Sequence, residues 1–214
     1  MASSADAQKL TALTRLAAEL AVNTEARWRT ALSHAAKVAT GIEIEEVLLQ
    51  SHLFVGFPVV LNAFIVWREL SPNPSRRSVA AIDGDLEARR DAGADLCARV
   101  YGKAYDRLRS NVRDLSPDLD RWMIEDGYGK TLSRSELEPV MRELCIVALL
   151  AAAGHSRQLQ SHLQGALNVG ATADAVERAL ETGCDVARET RGAEKGDPAE
   201  VLEIWRRLRE RTEV

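Results

Sequence analysis

The residues of this chain best suited to chemistry lie between Arg142 and Thr172, in the segment RELCIVALLAAAGHSRQLQSHLQGALNVGAT. From Leu144 to Ala153 the segment is apolar on nearly every face, as in a helix buried on all sides. Glu143 stands at the mouth of that run. Its helical neighbours three and four positions away are Pro139, Val140, Ile146 and Val147, so the carboxylate emerges on an apolar face. Such a setting suits a group that takes up and releases protons. A salt bridge to an arginine at the helix edge is the plainer role for the same side chain. Further along, Gln158 and His162 are four apart, hence one turn apart on one face, and His155 stands just before the helix cap Ser156. Histidine is the side chain best able to exchange protons near neutral pH, so these residues with Glu143 describe an acid–base pocket. The plainer alternative is a His162 bonded to a backbone carbonyl. Neither His-x-x-x-His nor Glu-x-x-His spacing occurs in the segment, and no metal site is expected.

Helices must position these groups. Apolar spacing predicts one over 6–22 (Leu10, Leu13, Leu16, Ala17, Leu20), then others over 25–39, 43–55 and, beyond Gly56-Phe57-Pro58, 58–69. Ser71 to Arg77, with two prolines, reads as a linker. A polar helix is expected over 85–110. Ser133-Arg134-Ser135-Glu136 has capping-box spacing, so a helix is expected from Glu136 to Gly154. Others follow over 156–169 and from Thr172 or Ala173 to Val186. A last one, capped by Asp197 with Pro198 at its first position, is expected to reach Arg211. No segment alternates with a strand's period of two. Gly41-x-x-x-Glu45-x-Val47 and Gly170-x-x-x-Asp174-x-Val176 form a faint internal repeat.

Composition agrees and excludes other classes. The 214 residues carry 28 basic and 32 acidic side chains, a formal net charge of −4, with 46% hydrophobic and only 5% aromatic residues. That is globular, helix-forming composition without the electrostatic footprint of a nucleic-acid or membrane-surface binder. The arginine pairs Arg76-Arg77, Arg89-Arg90 and Arg206-Arg207 lie among acidic residues and read as solvated helix faces. The apolar run from Cys145 to Gly154 is too short to span a membrane, and Met1 to Lys9 shows no signal-peptide pattern. Cys97, Cys145 and Cys184 are too widely spaced for a C-x-x-C or a zinc pair. A reducing, cytoplasmic setting is expected.

The run from Trp122 to Thr172, with Gly127-Tyr128-Gly129-Lys130, Arg142-Glu143-Leu144 and the string from His162 to Thr172, resembles the carboxymuconolactone decarboxylase family of the alkylhydroperoxidase D-like superfamily. Glu45 to Gln50, Phe54 to Pro58 and Asn62-Ala63 also look like that family. The resemblance implies an all-α, alkylhydroperoxidase D-like bundle of two half-related helical units. The halves cover about 5–70 and 126–190, with a linker and inserted helices over 71–125 and a C-terminal helix over 197–212. It also implies trimers or hexamers. The peroxidase branch works through a glutamate, a C-x-x-C pair and a histidine. The glutamate and histidine fall at Glu143 and His162, but the two cysteine positions hold His155 and Gln158. Neither can attack a disulfide or peroxide as a thiolate does, so C-x-x-C peroxidase activity is not expected. The decarboxylase branch, which also lacks those cysteines, implies loss of carbon dioxide from a small carboxylated lactone without metal or organic cofactor. Glu143 and His162 would then be catalytic, and Arg157, His155 and Gln158 would bind substrate. The chain departs from that branch at Gln50, where histidine is usual, and at Phe54, where tyrosine is usual. The expected function is a cofactor-free acid–base lyase acting on a small molecule. The rival is a non-catalytic binding or structural relative that lost the redox pair.

Overall fold

The computed structural model describes residues 4–22, 24–73, 85–191 and 198–212. Every regular element among these residues is helical. Helix α1 (Ser4–Leu20) buries Leu10, Leu13, Leu16, Ala17 and Leu20, the stripe its spacing predicts. Helix α2 (Glu25–Ala35) stops short of the expected Ala39. Helix α3 (Gly41–Val55) starts behind a capping box: Thr40 Oγ1 accepts from the Glu43 amide, and the Glu43 carboxylate accepts from the Thr40 amide. Helix α4 (Phe57–Leu70) follows, with Pro58 in its first turn.

The helix expected over 85–110 is interrupted. Helix α5 (Leu86–Tyr101) ends where φ turns positive at Gly102, and one 3₁₀ turn (Gly102–Ala104) leads into α6 (Tyr105–Leu115). Helix α7 (Pro117–Trp122) then widens into a π-helical stretch, Met123–Leu132, that no sequence pattern announced. Helix α8 (Pro139–Ala153) begins at Pro139 rather than Glu136. The reason is the proline, which holds the preceding Glu138 extended (ψ 143°) and sits at the first helical position itself. Ser133 and Glu136 therefore form no capping box. Helices α9 (Ser156–Asn168), α10 (Ala173–Arg191) and α11 (Pro198–Thr212) complete the chain. The expected cap Asp197 and part of the expected linker lie outside the described residues. Gly41 opens α3, whereas Gly170 lies in the turn ahead of α10, so the two repeat patterns sit at different points of their helices.

Helix α8 is the centre of the molecule, buried at every position from Arg142 to Ala152. Helices α1 and α10 pack most extensively on it, with α9 and α3 also in contact. Helix α5 lies across both α9 and the π-helical stretch. There the two backbones touch: a Cβ added at Gly93 would stand 2.7 Å from the Gly129 nitrogen, so neither glycine can carry a side chain. Among the described residues, no helix is long and apolar enough to cross a membrane.

Candidate active site

Helices α8 and α9, joined by the turn at Gly154 and His155, bring Glu143 and His162 into direct contact. His162 Nδ1 and Glu143 Oε2 are 2.8 Å apart, and the residues are 6% and 2% exposed. With the carboxylate accepting, Nδ1 carries the ring proton and donates it, which leaves Nε2 as a base. The rest of the string around His162 explains how the pair is held. Gly165, three residues on, clears its space: a Cβ there would lie 3.0 Å from Glu143 Oε2 and 2.7 Å from Val100 Cγ1. Asn168 Nδ2 donates to the Val100 carbonyl at 2.8 Å, which ties the end of α5 to α9. The histidine, glycine and asparagine of HLQGALN thus serve one junction.

The neighbouring Arg142 turns away from this pair. Its Nη2 donates to Glu46 Oε2 (2.8 Å) and the Arg134 carbonyl, its Nη1 to Gln50 Oε1 and its Nε to the Leu137 carbonyl. Arg134 Nε also donates to Glu46, and Gln50 Nε2 donates back to the Arg142 carbonyl. All four side chains are buried. The arginine that could have taken Glu143 is committed to Glu46, and His162 bonds a carboxylate rather than a backbone carbonyl.

His162 borders a cavity of about 520 Å³; Glu143 lies behind it. Phe54 stands edge-on to the imidazole at 6.0 Å between ring centroids, and Tyr101 does so at 6.3 Å. Tyr128 in turn stands edge-on to Tyr101 at 6.3 Å between ring centroids. Burial pushes the Tyr101 phenol up to about 12 and that of Tyr128 well above its usual value, so both remain neutral. Leu53 and Leu132 add apolar wall, and Trp122, Met123 and Asp126 complete the mouth. Burial also pushes the Cys97 and Cys145 thiols up to about 12 and the Cys184 thiol to about 11, which suppresses the thiolate that sulfur chemistry needs. Among the described residues, no group of three or more His, Cys, Asp or Glu side chains could hold a metal ion. A second cavity, about 470 Å³ between α1 and α2, is bordered by Arg15, His34 and Lys37 with no carboxylate among its described lining residues.

The structure brings Glu143 and His162 together but leaves His155, at the cap of α9, and Arg157 and Gln158, on its first turn, exposed. None of the three borders the cavity. Helical spacing put Gln158 on the His162 face, but one turn back that face has already emerged into solvent. Gln50, the position where histidine is usual, belongs to the Glu46–Arg142 network. The residues that sequence reasoning missed are Tyr101, Trp122, Met123, Asp126 and Tyr128, all from α5 and the α7–π segment. A signal did exist: the chain has only three tyrosines, and two of them meet here.

The model of the carboxymuconolactone decarboxylase family matches residues 117–194, which include α7, the π-helical stretch, Glu143 and His162. Peroxisomal protein 2 of Schizosaccharomyces pombe is 32% identical over 157 residues, covering 72% of this chain and 73% of that protein. The chain belongs to the carboxymuconolactone decarboxylase family. Peroxisomal protein 2 of Saccharomyces cerevisiae is 24% identical over 161 residues, covering 63% of this chain and 57% of its own length. Within the family match, the string from His162 to Asn168 is the junction that seats Gly165 between Glu143 and α5.

Proposed function

We propose that this family member is an acid–base enzyme in which His162 exchanges a proton with a small molecule and Glu143 orients and polarises the ring. The observation that carries the proposal is the buried 2.8 Å Glu143–His162 bond with only the histidine facing a cavity. A carboxylate behind an imidazole stabilises the ring when it takes up a proton, and a substrate carbon beside a carbonyl is where such a proton can come and go. The outcome is lyase or isomerase chemistry that these side chains perform without a thiol. A carboxylated lactone, the substrate that the family name suggests, would need a cation for its carboxylate. Arg157 does not border the cavity.

Turnover of a panel of small lactones and their carboxylated counterparts, followed by nuclear magnetic resonance, tests the proposal. His162→Ala and Glu143→Gln should each lower the rate by about 10²- to 10⁴-fold while the protein stays folded. Full rates in both variants would refute the assignment, and turnover by no form would favour the binding-module reading. Self-association is a further part of the proposal. Phe57, Leu61 and Ile65 form an exposed apolar stripe on α4, 66%, 59% and 61% exposed, that a second copy would cover. Light scattering should give the mass of a trimer or hexamer. The two yeast relatives are named as peroxisomal proteins, so the cytoplasmic setting is one of two candidates, separated by imaging a tagged chain.

A further inference from the structure

We propose that the cavity beside His162 takes an uncharged, ring-sized, largely apolar molecule and disfavours one bearing a free carboxylate, with Asp126 setting that preference. This rests on reading the Glu143–His162 cavity as the reaction site.

Three observations carry it. First, the walls are apolar or aromatic: Leu53, Phe54, Leu132 and Met123, with the neutral phenols of Tyr101 and Tyr128. Second, no lysine or arginine borders the cavity among the described residues. Arginines close in sequence to its mouth are held elsewhere: Arg109 and Arg113 on Asp120, Arg121 on Asp118, and Arg90 on Glu125. Third, the charge that the rim does present is negative. Asp126 is exposed there, and its carboxylate makes no hydrogen bond or ion pair among the described residues. A carboxylate entering from solvent would lose its water without gaining a lysine or arginine, since any charge that His162 takes up is already matched by Glu143 behind it, and would pass the Asp126 charge on the way. A neutral ring would release water from the apolar walls and meet aromatic rings at the edge-on geometry they favour. The volume suits a small organic molecule. Only a polar atom facing His162 is required of it.

The test compares two probes that share a ring and differ in charge, methyl cinnamate and cinnamate, titrated calorimetrically into the full chain near neutral pH at low salt. The ester should bind at least about tenfold more tightly than the acid. Added salt should narrow the gap by weakening the acid's repulsion and leave the ester unchanged. Phe54→Trp, which fills the cavity, should abolish ester binding; Leu53→Trp replaces it if circular dichroism shows that variant unfolded. Asp126→Lys should bring the acid within about threefold of the ester, because the exposed rim then carries the missing cation. An acid that binds wild type as tightly as the ester, no binding of either probe, or binding indifferent to both cavity-filling variants would overturn the proposal. An unchanged ratio in Asp126→Lys would overturn the role of Asp126. The reaction reading fails separately, by undiminished turnover in His162→Ala, and that result leaves the ester-to-acid ratio as measured.

Discussion

Arg142 and Glu143 are adjacent on α8 and equally buried, each 2% exposed, yet they enter opposite kinds of site. Successive helical residues point about 100° apart, so one helix can serve two neighbourhoods at once. Arg142 is bonded on all sides by Glu46, Gln50 and two backbone carbonyls, and it joins α3 to α8 and the segment leading into it. Among the described residues, Glu143 makes one side-chain hydrogen bond, to a histidine that borders the cavity. A charge whose every bond is internal has nothing left to offer a ligand and acts as structure. A charge with one titratable partner beside a cavity keeps the capacity to pass a proton.

The largest expected effect comes from breaking the structural side. Arg142→Met takes one arginine away from the buried Glu46 and should lower unfolding free energy by about 3–5 kcal/mol, measured with urea. Glu143→Gln keeps the shape of its side chain and should lose under about 2 kcal/mol. A Glu143 variant more destabilised than the Arg142 variant would reverse the contrast. An intermediate effect is expected from Gly165→Ala, whose methyl would press on Val100 and the Glu143 carboxylate. Stability should drop by about 1–3 kcal/mol, and turnover should fall with it because the acid no longer meets His162 squarely. Turnover kept in full would show that the pair needs no such clearance.

The smallest effect is the pH dependence that Glu46 contributes on the structural side. Burial works against a charged Glu46, but the hydrogen bonds from Arg134 and Arg142 outweigh it and hold the carboxyl below its ordinary value of 4.5. The unfolded chain therefore takes up this proton more readily than the folded one. The stabilisation is complete above 4.5 and is lost as pH falls from there through the folded value. Urea midpoints measured from neutrality downward should decline in that window, and Glu46→Gln should flatten the decline. An equal slope in wild type and variant would remove Glu46 from the account.

Much of this was legible from spacing. The stripe on α1, the buried run of α8 and the stop at Gly154 follow from local sequence, since each depends on residues within one or two turns, whereas α3 begins two residues before the expected Glu43, at Gly41 behind the Thr40 cap. The apparent capping box at Ser133 misled because Pro139, further along, decides where α8 can begin. The Glu143–His162 pair was legible as two suited residues at family spacing. The cavity they serve was not. Its mouth comes from Trp122 and Met123, in a region expected to be an insertion, and from Asp126 at the start of the expected second half, and it depends on how α5 crosses the π-helical stretch at Gly93 and Gly129.

The sequence by itself determined a helical chain, the absence of the C-x-x-C sulfurs and the candidate proton carriers, because composition, short-range periodicity and motif spacing are local properties. Only the tertiary structure decided that Arg142 belongs to Glu46, that His162 alone of the pair meets the cavity, and that His155, Arg157 and Gln158 stand outside it. Those outcomes depend on side chains far apart in the chain competing for the same partners and space, and no local pattern records which of them prevails.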